Sequence, residues 1–319
     1  MEFLLKMKEK ALRDKKLSRE EAIRLLKSPY EELIKEADNI RRELLDDEIE
    51  LCSIINGKNG RCGEDCAFCA QSKEHNCNIE EYALLSYDYI KKRAKENYEE
   101  GVYRFSIVTS GRGLYGKDFN RVLSYYEGLN KDVKINLCAS HGIIKKENLK
   151  KLKEAGVTRY HHNLETSRGY FKNICKTHSF DERIETIKYA KEVGFSVCSG
   201  GIIGLGESIL DRIDLALTLR DLEIKSIPIN ILTPIKGTKL QDMASLDNKE
   251  ILKTIAIFRF INPKAQIRLA GGRHFLKNFG EEAFKAGANA TITGNLLTTC
   301  GNTIKDDKRL IKEIGRKVL

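Results

Sequence analysis

The stretch from Arg61 to Ser72 reads Arg-Cys-Gly-Glu-Asp-Cys-Ala-Phe-Cys-Ala-Gln-Ser and contains a C-x3-C-x2-C triplet formed by Cys62, Cys66 and Cys69. Cysteine thiolates are the usual ligands of iron–sulfur clusters, and a cubane 4Fe–4S cluster needs four ligands. A triplet of thiolates therefore leaves one iron without a protein ligand. An open metal position is typical of sites that perform chemistry rather than of structural sites.

Two other kinds of metal site fit the same three cysteines when the triplet is considered alone. A zinc ion could be held by the triplet together with His75 or Cys77, as in a small zinc finger. A closed ferredoxin-type cluster could recruit Cys77 or Cys52 as its fourth ligand. The triplet does not decide among the three sites, and the rest of the chain favours the open cluster.

The composition indicates a large folded protein that works in the cytoplasm. The chain has 319 residues, 41% of them hydrophobic, which is enough for one large domain or two ordinary ones. No apolar run reaches membrane length, residues 1–6 lack a signal-peptide core, and nine cysteines in such a chain favour thiolate ligands over disulfides. The net charge of +10 comes from Lys and Arg mixed with Glu and Asp, so we expect solvated helix faces and no nucleic-acid or membrane partner.

Strand patterns alternate with amphipathic helix patterns from residue 50 onward, and several helix patterns end at glycine, as helices commonly do. The predicted strands are Leu51–Asn56, Val102–Thr109, Val133–Ala139, Val157–Leu164, Phe195–Gly200, Ile227–Leu232, Gln266–Ala270 and Ala290–Gly294. The predicted helices between them include Tyr87–Glu100, Lys145–Ala155, Asp181–Val193, Ile209–Leu222, Asn248–Phe260 and Arg273–Ala286.

This alternation predicts the α/β class, with a (β/α)8 TIM-type barrel and an N-terminal helical extension. A doubly wound open sheet is the alternative, because counting strands cannot establish closure. Residues 1–49 form the predicted extension, with helices over Ser18–Leu26 and Pro29–Leu45, and residues 50–319 form the predicted barrel with a C-terminal helix.

Polar and sulfur-containing residues concentrate at the carboxyl ends of the predicted strands, where (β/α)8 barrels place their active sites. The triplet follows the first strand. The later strands contribute, in order, Thr109–Gly113, Cys138, Asn163 with Glu165, Cys198, Asn230, Arg268 and Asn295–Thr299. We therefore expect an active site at one mouth of the barrel.

The motifs and their order resemble the biotin synthase family of radical S-adenosylmethionine (SAM) enzymes over about residues 40–302. The aromatic Phe68 before the third cysteine also fits that family. The matching segments are Ser53–Asn56, Ala70–Ser72, His162–Ser167, Val197–Glu207, Pro228–Leu232, Lys236–Thr238, Ile267–Leu269 and Leu297–Thr299. The segments around Cys198 and Asn230 are far more specific than the triplet, which many radical SAM enzymes share.

The resemblance implies an enzyme that inserts sulfur between two saturated carbons of dethiobiotin to form biotin. It implies a 4Fe–4S cluster on the triplet, SAM bound at its open iron, and 5′-deoxyadenosyl radicals that abstract hydrogen. The family takes the sulfur from an auxiliary iron–sulfur cluster of the 2Fe–2S type. A flavodoxin- or ferredoxin-type reductant and a homodimer are further expectations.

The auxiliary cluster is where this chain departs from the family. Three of the family's four ligands carry over, namely Cys138, Cys198 and Arg268. The fourth position holds Ser106, where better-known members have cysteine, and a serine oxygen is a harder ligand that suits a sulfide-rich iron site poorly. We therefore expect a variant cluster: Ser106 ligates weakly, another group such as His141 or Cys175 substitutes, or the nuclearity or sulfide content differs.

The resemblance also assigns residues to SAM and to the substrate, and it names no catalytic residue beyond the cluster ligands. The SAM residues are Phe68, Ser110, Asn163, Glu165, Arg183, Ile202 and Thr233. The substrate residues are Asn163, Asn230, Thr298 and Thr299. A carboxylate suits ribose hydroxyls, and an asparagine suits a ureido ring that needs paired donors and acceptors. The remaining thiols are expected to be structural or incidental, with ligation of the auxiliary cluster as the alternative for each: Cys52, Cys77, Cys175 and Cys300.

Two rival functions stay open at this point. A hydrogenase-maturase-like or methylornithine-synthase-like radical SAM enzyme would generally lack the sulfur-donor ligands. The serine at position 106, in place of cysteine, slightly favours such an enzyme. A non-catalytic iron–sulfur or zinc protein would need none of the residues at the barrel mouth. Retention of Cys138, Cys198, Arg268 and Asn230 favours sulfur insertion.

Overall fold

The computed structural model describes residues 2–297 and 301–319. Its strands are β1 Glu48–Lys58, β2 Arg104–Thr109, β3 Asn136–Ser140, β4 Arg159–His161, β5 Ser196–Cys198, β6 Gly201–Ile203, β7 Ser226–Ile231, β8 Gln266–Leu269, β9 Ala290–Thr293 and β10 Lys317–Val318. Its helices are α1 Glu2–Leu12, α2 Arg19–Leu25, α3 Tyr30–Leu44, α4 Tyr87–Glu99, α5 Gly116–Asp132, α6 Lys146–Glu154, α7 Phe171–Ile174, α8 Phe180–Glu192, α9 Ile209–Asp221, α10 Asn248–Ile261, α11 Glu281–Lys285 and α12 Ile304–Glu313.

Parallel strands form a closed barrel. Strand β1 pairs with β2 on one side and with β9 on the other, so the sheet returns to its starting strand. The strands between β2 and β9 follow chain order around the barrel, and β5 and β6 together occupy one interrupted strand position beside β7. The predicted (β/α)8 barrel is therefore confirmed, and the β1–β9 pairing excludes the open sheet.

The helices outside the barrel include elements that the sequence patterns do not predict. Helix α1 buries Leu4, Met7 and Ala11, which recur at helical spacing, and it packs against α3 and α10. Helix α5 and the short strand β10 are also additional to the predicted elements. No helix within the described ranges combines the length and apolarity needed to cross a lipid bilayer.

The predicted helix over Arg273–Ala286 is wrong for most of its length. Two 3-10 turns, Arg273–Phe275 and Lys277–Phe279, precede the short α11. Asn278 and Phe279 have φ values of 48° and 54°, and Gly280 has φ 118°, which no right-handed helix accommodates. Amphipathic spacing alone did not reveal this interruption.

The interruption between β5 and β6 depends on the absence of a side chain at Gly200. A Cβ atom there would lie 1.9 Å from the carbonyl oxygen of Pro228 on β7. Pro228 has no N–H to donate to the neighbouring strand, so the two strands approach closely at this point without a regular ladder. Cys198 lies at the end of β5, just before this interruption, and Asn230 lies two residues after Pro228 on β7; both line the barrel cavity.

We expect Gly200→Ala to destabilise the fold by about 3 kcal/mol or to prevent folding, because the clash is with backbone rather than with a flexible side chain. Denaturant unfolding of the cluster-free chain measures the effect. Gly169→Ala is the matched control, because its Cβ would make only ordinary contacts at 3.7 Å and beyond. Equal stability of the two variants would contradict the close approach.

Candidate active site

One cavity of about 400 Å³ occupies the barrel interior and is lined by residues on the strands and on the loops at their carboxyl ends. Six cysteines line it: Cys52, Cys62, Cys66, Cys69, Cys138 and Cys198. The other expected site residues that the structure describes line the same cavity, namely Phe68, Ser106, Ser110, Asn163, Glu165, Arg183, Ile202, Asn230, Thr233 and Arg268. Thr298 and Thr299 lie outside the described residues.

The triplet lies in the loop that follows β1, and the backbone of this loop is folded on itself. The N–H of Cys62 donates to the carbonyl of Gln71 at 2.9 Å, and the N–H of Lys73 donates to the carbonyl of Cys62 at 2.9 Å. The N–H of Cys69 donates to the carbonyl of Cys66 at 3.0 Å. These bonds hold the three thiols on one short turn that faces the cavity.

Asp65, between the first two cysteines, attaches the triplet to the segment that follows α7. Its Oδ1 accepts the N–H groups of Lys176 and Thr177 at 2.9 and 3.1 Å. Burial opposes ionisation of this carboxyl, but the two N–H donors outweigh it and hold its pKa well below the usual range. The motif spacing did not predict this attachment, because its partners are more than 100 residues away in sequence.

A second chain of contacts links the triplet loop to β4 and α8. The carboxylate of Glu64 contacts Nδ1 of His178, and Arg183 donates from Nε to Nε2 of His178 at 2.9 Å. Arg183 also donates from Nη1 to the carbonyl of Asn163 at 2.9 Å. Glu64 and His178 are therefore functional candidates that the sequence reasoning missed, and only their juxtaposition to Arg183 identifies them.

Cys175 lies behind the triplet rather than in the cavity. Its Sγ is 3.8 Å from Sγ of Cys66 and 3.2 Å from Nδ1 of His178. The hydrogen bond from Cys66, followed by that from His178, lowers the pKa of Cys175 to about 4 despite burial. Cys175 is absent from the cavity lining, so it cannot substitute for Ser106 inside the barrel.

Asn163 and Glu165 form a polar corner beyond β4. The amide of Asn163 donates from Nδ2 to Oε2 of Glu165 at 3.2 Å and accepts the N–H of Gly200 at 3.1 Å. Glu165 has φ 68°, an unfavourable backbone conformation for a residue with a side chain, and such strain is common at functional sites. Its Oε1 lies 3.5 Å from Nη1 of Arg183. The corner therefore presents a carboxylate and a guanidinium side by side.

Asn230 is held between two backbone groups on the opposite wall. Its Nδ2 donates to the carbonyl of Gly201 at 3.1 Å, and its Oδ1 accepts the N–H of Gly271 at 2.9 Å. One N–H and one lone pair of the amide have no partner in these bonds. They can serve a ligand that offers both an acceptor and a donor.

The thiols of Cys138 and Cys198, on β3 and β5, differ in their electrostatic surroundings. Burial raises the pKa of Cys138 to about 12. Burial also opposes ionisation of Cys198, but His161 and then Arg268 outweigh it and lower its pKa to about 6. Positive groups near Cys198 thus favour the thiolate, the form that binds metal.

Several alternative ligands considered from the sequence lie away from this cavity. His75 and Cys77 do not line it, and Nδ1 of His75 is 2.8 Å from the carbonyl oxygen of Cys69. His141 is fully buried outside the cavity and contacts Thr109 and Tyr126. Neither His75 nor Cys77 therefore completes a zinc site on the cavity side of the triplet, and His141 does not replace Ser106.

The residues at the mouth fit a 4Fe–4S cluster with an open iron and a SAM molecule beside it. Three soft thiolate donors face one cavity, and the other cysteines that line it belong to strands rather than to the triplet loop. SAM carries a carboxylate, an ammonium group, a sulfonium and a ribose, and the adjacent Glu165 and Arg183 offer charges of both signs. A cavity of about 400 Å³ is within the range of small-molecule sites.

Comparison with known proteins identifies the family of the chain. Residues 58–219 match the Radical SAM superfamily, and residues 228–317 match the Biotin and Thiamin Synthesis associated domain. The chain is 73% identical over 318 residues to a biotin synthase of Clostridium perfringens, and the match covers 100% of both chains. It is 55% identical over 317 residues to a biotin synthase of Clostridium tetani, covering 98% of each chain.

Solved structures support the fold at low sequence identity. Methylornithine synthase superposes with a TM-score of 0.85 at 21% identity, covering 98% of this chain and 97% of that one. The FeFe-hydrogenase maturase HydG from Carboxydothermus hydrogenoformans superposes with a TM-score of 0.79 at 17% identity, covering 99% of this chain and 79% of that one. The sequence relatives, rather than these structures, decide the family. The chain belongs to the biotin synthase family of radical SAM enzymes, which implies a 4Fe–4S cluster and SAM as its cofactors.

Proposed function

We propose that this chain converts dethiobiotin to biotin, with the sulfur supplied by an auxiliary iron–sulfur cluster inside the barrel. The observation that carries the proposal is a single cavity lined both by the triplet and by Cys138, Cys198 and Arg268. Asn230 belongs to the same cavity, so a substrate bound there could reach a radical source and a sulfur source.

The mouth residues bind and orient SAM in this proposal. When bound, the 4Fe–4S cluster and SAM supply the 5′-deoxyadenosyl radical that breaks unactivated C–H bonds. Arg183 pairs with the SAM carboxylate, and Glu165 accepts hydrogen bonds from ribose hydroxyls. The backbone of residues 108–111 faces the SAM amino group. Ser110 stabilises this backbone segment, because its Oγ donates to the carbonyl of Gly60 at 2.8 Å.

The wall residues orient the substrate and exclude water. The free N–H and lone pair of Asn230 match the acceptor and donor of a ureido group. Apolar side chains line the cavity and limit side reactions of a reactive radical, including Ile54, Ile202, Ile231 and Ile292. Several further roles rest on the family resemblance. These are contacts of Phe68 and Thr233 with SAM, of Asn163 with SAM and the substrate, and of Thr298 and Thr299 with the substrate carboxylate.

The proposed ligands of the auxiliary cluster are Cys138, Cys198 and Arg268. The ligand set differs from that of the family at the fourth position, because Ser106 offers a hydroxyl there instead of a thiol. The soft thiols of Cys138 and Cys198 are both buried and both line the cavity together with Arg268, which supports a metal site at this depth. A flavodoxin- or ferredoxin-type reductant and a homodimeric assembly are proposed on the family resemblance alone.

Anaerobic incubation of the reconstituted protein with SAM, dethiobiotin and dithionite or reduced flavodoxin tests the function. We expect biotin together with one 5′-deoxyadenosine for each of the two C–H bonds broken. Deoxyadenosine without biotin would instead favour the hydrogenase-maturase or methylornithine-forming reactions. Absence of deoxyadenosine from protein with a full complement of iron would refute an open cluster iron.

A further inference from the structure

The part of the barrel interior below the triplet carries an excess of buried positive charge. Arg104, Arg159 and Arg268 come from β2, β4 and β8, and all three are at most 6% exposed. They surround Glu50 of β1, which is 3% exposed and forms ion pairs with each of them. Three guanidinium groups around one carboxylate leave two positive charges without a carboxylate partner in this group. Buried charge of this kind is costly unless an anion compensates it.

Unused hydrogen-bonding groups in the same place also indicate a ligand. The Nε atoms of Arg104, Arg159 and Arg268 are buried without a hydrogen-bond partner among the described residues. Arg159 and Arg268 line the cavity, and Arg268 is only 1% exposed. Buried polar atoms are nearly always paired in folded proteins, so the unpaired donors of Arg159 and Arg268, which line the cavity, point to an anionic occupant there. An iron–sulfur cluster with thiolate ligands is such an anion.

Three thiols from three strands face this part of the cavity. Cys138 and Cys198 are two of them, and Cys52 on β1 is the third, at 7% exposure. Cys52 pairs in register with Arg104 of β2 and with Ile292 of β9. Cys52 therefore lies below the carboxyl end of β1, from which the triplet loop begins. Ser106 lies on the adjacent β2, two residues beyond Arg104, and its partner in register is Ile54. Cys52 and Ser106 therefore occupy neighbouring positions on one wall.

We propose that Cys52 supplies the third thiolate of the auxiliary cluster, in place of the thiol that Ser106 lacks. The ligands are then Cys52, Cys138, Cys198 and Arg268, and Ser106 is a polar neighbour of the cluster. A thiolate suits a sulfide-rich iron site better than a serine hydroxyl does. This inference rests on the proposed auxiliary cluster and identifies the ligand that the family comparison leaves open.

The test uses the full-length chain with Cys62, Cys66 and Cys69 replaced by alanine, so that only auxiliary iron is counted. Iron and sulfide per chain and Mössbauer spectra are measured after anaerobic reconstitution, in this parent and after a further Cys52→Ser substitution. We expect Cys52→Ser to weaken iron retention about tenfold or more, because a direct ligand is lost. Cys77→Ser, which removes a thiol outside the cavity, should change neither the iron content nor the spectrum.

Restoration gives an independent measurement. The double variant Cys52→Ser with Ser106→Cys should recover the iron that the single variant loses, because a thiol returns to the same wall. Circular dichroism verifies folding, and Cys52→Ala replaces the serine variant if serine disturbs the wall. Unchanged iron, sulfide and spectra in either Cys52 variant would overturn the role of Cys52. Unchanged iron after Cys138→Ala as well would show that no cluster occupies the barrel interior, and the proposed sulfur source itself would then fail.

Discussion

Replacing Cys66 by alanine should lower 5′-deoxyadenosine formation at least about a thousandfold, to the level of cluster-free protein, because two thiolates cannot hold a cubane cluster in place. The structure adds a reason for choosing Cys66. Its thiol contacts Cys175, and its turn is attached to the segment after α7 through Asp65. Deoxyadenosine is measured anaerobically with dithionite and SAM, with and without dethiobiotin.

Cys175→Ala and Cys77→Ala are the controls for that experiment. Cys175 lies behind the triplet and Cys77 lies outside the cavity lining, so neither is expected to ligate the catalytic cluster. Both variants should keep most of the deoxyadenosine formation. Normal cleavage by Cys66→Ala, or complete loss in Cys175→Ala with the Cys66 variant active, would mean that the ligand set at the mouth is different.

Replacing Glu50 by glutamine should destabilise the cluster-free chain by about 3–5 kcal/mol, because it leaves three buried guanidinium groups without a carboxylate. Arg159 donates to Glu50 at 2.9 Å, and Gln266 donates to its other oxygen at 3.0 Å. Urea unfolding at neutral pH measures the change. Glu48→Gln, on the exposed start of the same strand, is the matched control and should change the unfolding free energy little.

The pH dependence of stability gives the same interaction a second measurement. Burial opposes ionisation of Glu50, but Arg268, Arg159 and Arg104 outweigh it and lower its pKa from 4.5 to about 2. A lowered folded-state pKa stabilises the fold above the unfolded-state pKa, and the benefit is lost as pH falls from about 4.5 to about 2. The full shift corresponds to roughly 3 kcal/mol. The native chain should lose this contribution over that range, whereas Glu50→Gln should not, and parallel pH profiles would contradict the assignment.

Local patterns carried most of the information that the sequence provides about the site. The C-x3-C-x2-C spacing and the polar residues at strand ends predicted which side chains share the mouth, because parallel strands of a barrel end at the same face. Cys62, Glu165 and Asn230, although far apart in sequence, line one cavity as expected. The interrupted β5–β6 strand position was not predictable, because it depends on the contact between Gly200 and Pro228.

The roles of the thiols outside the triplet required the tertiary structure. The sequence favoured Cys175 and His141 as replacements for Ser106 and grouped Cys52 with the incidental thiols, yet of these three residues only Cys52 lines the cavity. Whether a strand residue faces inward follows from the pairing register of its strand with neighbours that are distant in sequence.

The sequence by itself determined the alternation of strands and helices and the presence of a metal site, because both depend on short-range periodicity and spacing. Closure of the barrel and the buried group of Glu50 with three arginines were decided only by the tertiary structure, which brings β1 beside β9 and four strands around one carboxylate. The contact between Arg268 and Glu50 alone joins residues 218 positions apart, and no local pattern encodes contacts of this kind.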